Sequence, residues 1–220
     1  TTLRIVLLPG DGVGPEVIEH CQPILDAAEA FCGVVFERET IPCGGRYFLE
    51  HGREWPDGSH ERVESADAIL LGAVGFAGPN GQPVRRDDGE MAGYEMVVGL
   101  RLKLDLYANM RPVKLFPGVH HRVHGEFKPV WDADKVDMLI IRENTEDAYA
   151  PGSFQLARGG EMEMVVSPTV ITRKGTERVV RAAFEAASRR NGAPGDGVRR
   201  VTCVDKSNVV RAHAFFREVF

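Results

Sequence analysis

Cysteine is scarce in this sequence, and so are the features that would direct a chain into a membrane, a secretory route or a nucleic acid complex. Its four cysteines, Cys21, Cys32, Cys43 and Cys203, form no Cys-x-x-Cys pair. That excludes the common zinc and dithiol motifs and leaves them as reduced core residues. Apolar runs such as Ala68 to Val74 and Met138 to Ile141 fall far short of the roughly 20 residues a bilayer-spanning helix needs, so no membrane partner is expected. The first residues lead straight into a strand-like segment with neither a basic stretch nor a small-residue cleavage site, from which a cytoplasmic location is expected. Basic charge is not in excess: 27 Lys and Arg stand against 32 Asp and Glu, a net charge of −5, which leaves no footprint for nucleic acid. An anionic small molecule would have to be held by a local cluster of arginines.

What is present is an alternation of strand and helix signals over 220 residues that are 43% hydrophobic, as in α/β enzymes. Leu3 to Leu8 reads as a strand ending at Pro9-Gly10-Asp11-Gly12, and Pro15 suits the first turn of a helix. A strand near Val34 to Thr40, a helical stretch near Tyr47 and a buried strand at Ala68 to Leu71 follow, with parallel pairing expected. Gly78 to Gly93 is glycine-rich and charged, the composition of a surface loop, and is assigned as an active-site flap. Glu95 to Leu104 is helix-compatible, and Leu106 to Met110 reads as a strand leading into Arg111-Pro112. Val136 to Arg142 suits a buried strand, and Glu161 to Arg173 is strand-rich. Val179, Val180, Ala183, Phe184 and Ala187 recur on one helical face. Val201 to Val204 reads as one more strand, and Asn208 to Phe220 as an amphipathic helix.

The glycines of Gly10-Asp11-Gly12-Val13-Gly14 are spaced G-x-G-x-G, not the G-x-G-x-x-G that opens a dinucleotide-binding βαβ unit. Glu29 lies within or at the end of the first helix instead of closing a second strand. The loop therefore does not read as a pyrophosphate cradle.

Five segments, in order, carry a resemblance. They are Leu8-Pro9-Gly10-Asp11-Gly12-Val13-Gly14-Pro15-Glu16; Gly72-Ala73-Val74-Gly75; Leu100-Arg101 through Tyr107-Ala108-Asn109-Met110-Arg111-Pro112; Arg142-Glu143-Asn144-Thr145-Glu146 with Tyr149; and Val204-Asp205-Lys206-Ser207-Asn208. Together they resemble the isocitrate/isopropylmalate dehydrogenase family of β-decarboxylating enzymes. The resemblance implies a two-subdomain α/β/α architecture, incomplete at its C-terminus, because the family's members are considerably longer. A first α/β subdomain is expected over residues 1–105 and a second, dimerisation subdomain over 106–220. It further implies a homodimer with shared active sites, NAD or NADP as hydride acceptor, and Mg2+ or Mn2+ held by aspartates that come later in the family than residue 220.

The chemistry gives these residues roles. A substrate with two carboxylates must be fixed while hydride leaves C2, and the planar fork of arginine binds carboxylate through two parallel hydrogen bonds. Arg101, Arg111 and Arg142 are the candidates. A divalent cation polarises the new carbonyl so that the β-keto acid loses carbon dioxide, and the resemblance assigns protonation of the resulting enol to Tyr149. It assigns the general base to Lys206, acting in the partner subunit's cleft; lysine suits that task when burial and neighbouring cations lower its pKa. Val74 and Gly75 would pass close to the nicotinamide. Asp105 reads as a helix-end or surface carboxylate, and His120, His121 and His124 as a solvated loop.

Isocitrate enzymes place hydroxyl and amide side chains a few residues before the first clamp arginine, where this chain has Glu95 and Val97. The apolar pair Val97-Val98 suits an alkyl substituent, so 3-isopropylmalate ranks first as substrate. Arg142-Glu143-Asn144-Thr145-Glu146 is more similar to the isocitrate, homoisocitrate and tartrate/D-malate branches, and tartrate or D-malate ranks second, homoisocitrate third. A non-catalytic subunit that only dimerises or pairs with an intact one, and a sugar- or phosphate-binding α/β module using the first glycine loop, are the alternatives from other classes.

Overall fold

The apolar run near the start of the chain becomes β1 (Thr2–Leu8), which pairs in parallel on both sides, with β2 (Val35–Thr40) and β3 (Ala68–Leu71). A central strand is buried on both faces, which is why β1 is a continuous apolar run and not an alternating one. Val6 and Leu8 point into a cluster with Ile41, Cys43, Trp55, Val63, Met96 and Leu100, while Ile5 and Leu7 pack with Ile18 on the other face. In this computed structural model, which describes residues 1–149 and 153–220, the chain divides into two units, Thr1–Leu104 and Asp105–Phe220. The fold is α/β.

The rest of the first unit frames that sheet. Helix α1 (Gly14–Cys32) opens with Pro15 in its first turn and stops at Gly33, whose left-handed conformation (φ 65°) lets its N–H reach the Glu29 carbonyl. Short helices α2 (Gly45–His51) and α3 (Ser59–Glu64) follow β2. The loop over 78–93 is folded on itself by isolated bridges from Ala77 to Pro83 and from Arg85 to Met91. It leads into a π-helical turn, Glu95–Gly99, continuous with α4 (Leu100–Lys103). A π-turn inserts an extra residue per turn and is found frequently at functional sites.

In the second unit β4 (Ala108–Lys114) pairs with β7 (Asp137–Glu143), β5 (His121–Val123) with β6 (Glu126–Lys128), and β8 (Phe154–Arg158) with β9 (Glu161–Val166). A 3-10 turn (Ala133–Lys135) precedes β7, and helices α5 (Arg173–Arg189) and α6 (Arg211–Val219) complete the unit. The parallel pairing expected of the first unit's strands is found there, whereas the three ladders here are antiparallel. Pro112 sits within β4, which is tolerable because β4 has, among the described residues, a partner on one side alone.

Three further expectations are corrected. Val201 to Val204 is not a strand: among the described residues it pairs with none, and it borders a cavity of about 410 Å³ lined also by Leu139, Ile141, Val179 and Phe216. Strand β7 is not buried, since Met138 and Ile140 are each 50% exposed; a two-stranded ladder leaves one face uncovered. Cys32 is exposed at the end of α1, so only Cys43 is a fully buried thiol.

Candidate active site

In the first unit a single carboxylate organises three loops. Asp11, 3% exposed, follows Gly10 (φ +70°) in the turn after β1; its Oδ1 accepts from the Gly75 N–H at 2.6 Å and its Oδ2 from the Gly45 N–H. The Asp11 N–H in turn donates to the Ala73 carbonyl at 3.0 Å. Gly14 is needed here because a Cβ would run into the carbonyl oxygens of Pro9 and Ala73. The glycine loop after β1 is thus a backbone clamp that fixes the segment after β3. That segment carries Val74 and Gly75. Val74 packs against the core cluster, with its Cγ1 where a side chain on Gly93 would have to sit. Gly75 is exposed, with no atom within 4 Å of where a Cβ would be placed, so its surface is open to a flat ring.

The π-turn brings Val97, half-buried, and Val98, buried, one turn ahead of Arg101, half-buried in α4. Glu95 at the head of that turn is occupied. Its Oε1 accepts from Lys103 Nζ at 2.5 Å and lies 3.1 Å from His60 Nε2, while its backbone N–H donates to buried Glu54 at 3.0 Å. Glu54 is held in turn by Arg86 at 3.1 Å.

In the second unit the register of β4 and β7 sets Asn109 opposite Arg142. Because side chains alternate along a strand, Asn109 and Arg111 share one face with Arg142, and Asn144 continues that face just past the end of β7. The four side chains are joined. Asn144 Oδ1 accepts from Arg142 Nη2 at 2.8 Å and from Asn109 Nδ2 at 3.1 Å, and Asn109 Oδ1 accepts from Arg111 Nε at 3.1 Å. Asn144 is anchored by its own Nδ2, which donates to the Leu106 carbonyl at 2.9 Å. The Tyr149 ring lies 5.6 Å from the Arg142 guanidinium carbon. At 45% exposure this phenol is not a buried structural one.

The other members of the Arg142-to-Glu146 stretch hold the loop. Glu143 accepts from the Thr145 N–H and hydroxyl (2.9 and 2.7 Å) and the Glu146 N–H (2.7 Å), and so closes its own turn. Glu146 accepts from the N–H and hydroxyl of Thr172, the residue that caps α5. Arg178 of α5 donates to both oxygens of Asp105 at 2.7 Å and to Thr145 Oγ1 at 2.8 Å, over the ring of Tyr107.

Lys206 is exposed in the turn before α6, where its backbone N–H donates to His213 Nδ1 at 3.0 Å. It takes no part in the arginine network. Asp205 pairs with Arg217 (2.8 Å) instead of with its neighbour Lys206, and hydrogen bonds from Ser207, then from Arg217, hold its carboxyl well below the usual carboxylate range. Within the second unit, then, the structure brings Arg111, Arg142 and Tyr149 together and leaves Lys206 apart. Sequence reasoning passed over Asp11, Asn109, Asn144 and Arg178. The asparagines had a legible signal, since Asn109-x-Arg111 and Arg142-x-Asn144 both repeat at the two-residue period of a strand.

The first unit thus offers a glycine-clamped parallel sheet, and the second a pair of co-facial arginines held by amide oxygens, groups whose chemistry suits a small anion. The profile of the isocitrate/isopropylmalate dehydrogenase family matches residues 4–220, and the chain belongs to that family. It is 38% identical over 213 residues to a 3-isopropylmalate dehydrogenase of Clavibacter michiganensis subsp. michiganensis, covering 95% of this chain and 54% of that protein. It is 35% identical over 190 residues to the D-malate dehydrogenase [decarboxylating] of Escherichia coli, covering 86% and 49%. Among solved structures, isocitrate dehydrogenase from Methylococcus capsulatus superposes with a TM-score of 0.72 at 28% identity, over 99% of this chain and 55% of that one. The chain spans about half the length of the relatives it matches.

Proposed function

We propose that this chain carries the substrate-binding part of an NAD(P)-dependent, β-decarboxylating dehydrogenase whose substrate is a 2-hydroxy acid with a neighbouring carboxylate, 3-isopropylmalate first. The observation that carries this is the Arg111–Asn109–Asn144–Arg142 chain with Tyr149 beside it. Beyond one bond each to an amide, neither guanidinium donates to any acceptor among the described residues. Two forks on one face suit the carboxylates of a diacid. Arg101 in the first unit takes the same role, and Val97 with Val98 the alkyl substituent.

In the reaction, Lys206, reaching the cleft of a partner subunit, accepts the hydroxyl proton while hydride leaves C2. After carbon dioxide is lost, Tyr149 returns a proton to carbon, a task its exposed position beside a guanidinium permits. Gly75, open at its Cα, is the place for the nicotinamide to approach, with Val74 behind it; NAD or NADP, when bound, supplies the hydride acceptor. For Mg2+ or Mn2+ the described residues do not fit: no three His, Cys, Asp or Glu side chains converge to hold a cation, so this chain's own part is binding and proton transfer. The proposed setting is a cytoplasmic homodimer. Its support is the largely exposed apolar surface of β8 and β9, including Phe154, Met162 and Val165, together with the absence, among the described residues, of any helix long and apolar enough to cross a membrane.

A second reading, D-malate or tartrate, is favoured by the burial of Val98, which leaves Val97 as the accessible member of the pair and little surface for a large alkyl group. The test is NADH formation with 3-isopropylmalate, D-malate, tartrate and isocitrate in the presence of Mg2+ or Mn2+, by this segment joined to the remaining length of a family member so that cation ligands are supplied. Metal-dependent turnover of 3-isopropylmalate, reduced at least about tenfold in kcat/KM by Arg142→Ala, is expected. Silence with all four acids, or turnover indifferent to Arg142→Ala, would overturn the proposal.

A further inference from the structure

The second unit contains three arginines near one another in the fold that are held in two different ways. Arg178 has its charge matched: Asp105 takes two of its hydrogen bonds at 2.7 Å, and Glu143 Oε1 stands 3.8 Å from its Nη2. Arg111 and Arg142 form no ion pair among the described residues, and the oxygens that hold them belong to amides. The nearest acid in sequence, Glu143, is turned away. It follows Arg142 by one residue in β7, so it points to the opposite face, and its oxygens are taken up by Thr145 and Glu146.

The distinction matters because a carboxylate partner both orients a guanidinium and cancels its charge, whereas an amide oxygen orients it with only a partial charge. Asn144 is suited to the second task. It is 6% exposed, both atoms of its amide are engaged, and its backbone N–H is fixed to the Tyr107 carbonyl at 3.0 Å. Its amide cannot rotate without losing the bond to Leu106. Resting on the reading of the site as a diacid site, we propose that Asn109 and Asn144 are positioning residues that aim Arg111 and Arg142 while leaving both at full charge for a dicarboxylate. The neutrality of these two side chains is the functional property, and it makes Asp the most damaging replacement at either position although Asp is closest to Asn in shape.

The experiment compares Asn144→Asp with Asn144→Ala, with Asn109→Asp as a second charge probe at a half-buried position should the Asn144 variants not fold. Steady-state kinetics on the acid turned over by the wild type, together with a thermal melt, should show the KM for that acid raised roughly tenfold or more by Asn144→Asp, the KM for NAD unchanged, and a smaller rise in KM for Asn144→Ala. Neither Asp nor Ala can donate to the Leu106 carbonyl, so a purely structural role predicts a KM that rises only in step with the loss of melting temperature in both variants; that pattern, or an Asp variant that binds as the wild type does, overturns the proposal. In parallel, malonate is titrated into the chain while the Nε–H resonances of its arginines are followed. Weaker malonate binding by the Asp variants than by the Ala variant supports the positioning role even if the wild type turns over none of the acids, in which case only the enzymatic reading falls. A wild-type chain that does not bind malonate would overturn the inference itself.

Discussion

The two units of this chain bury themselves differently. Of the described hydrophobic residues that are buried, all but Val179 belong to the first unit. Its centre, β1, is covered on both faces and carries Val6 and Leu8 at 0% exposure. The second unit is held instead by polar chains, Arg178 to Asp105 and Thr145, Glu146 to Thr172, and Asn144 to its arginines. Its ladders leave Met110, Met138, Ile140 and the side chains of β8 and β9 largely in solvent. Apolar burial is strong and nondirectional, whereas hydrogen bonds are weak in net terms but fix direction. The first unit is accordingly a scaffold, and the second is a surface of aimed side chains whose apolar faces await a cover, which the proposed homodimer would provide.

That contrast can be broken or sharpened by experiment. Leu8→Ala should have the largest effect, a loss of about 2–5 kcal/mol in urea unfolding, because it opens a cavity at the centre of the first unit; a loss under about 1 kcal/mol would mean the first unit does not depend on this core. Arg178→Ala should cost about 1.5–3 kcal/mol, and amide exchange should quicken at residues 143–146 while β1 keeps its protection. Quickening in β1 as well would show that the two units do not respond separately.

A smaller effect is expected from acid. Hydrogen bonds from Arg4, then Arg62, lower the pKa of Glu39. A carboxylate lowered in the folded state stabilises it above its unfolded value, about 4.3 for glutamate, and that contribution is lost as the pH falls through the lowered folded value. Glu39→Gln should therefore reduce stability near neutrality and flatten the acid limb of the stability profile; an unchanged profile would remove this ion cluster from the first unit's support. The smallest effect is one of rate. Burial pushes the Cys43 thiol up to about 11, so at pH 8 iodoacetamide should label exposed Cys32 first and half-buried Cys21 and Cys203 next, and reach Cys43 only after denaturant is added. Early labelling of Cys43 would show that the first unit's core opens readily.

Much of the first unit was legible in the sequence because its signals are local. An unbroken apolar run bounded by Pro9-Gly10 can be little other than a central strand, and Pro15 marks the start of α1 by backbone geometry alone. The second unit was read less well for a physical reason. Whether Val201 to Val204 is a strand depends on a partner far away in the chain, and whether β7 is buried depends on what covers it. The arginines of the candidate site were legible by charge and by family resemblance. The asparagines that hold them were not assigned, because an amide's role is defined by what it touches, and Asn109 and Asn144 lie 35 residues apart.

The sequence by itself determined the α/β class, the family and the identity of the side chains able to bind an anion, since these follow from local periodicity, turn chemistry and residue type. Tertiary structure alone decided that Asp11 ties the glycine loop to Gly75, that Arg178 is matched by a carboxylate, and that Arg111 and Arg142 are held by neutral amides. Guanidinium groups look alike in a sequence; their charge is left available or cancelled only by the partners that folding brings within hydrogen-bonding distance.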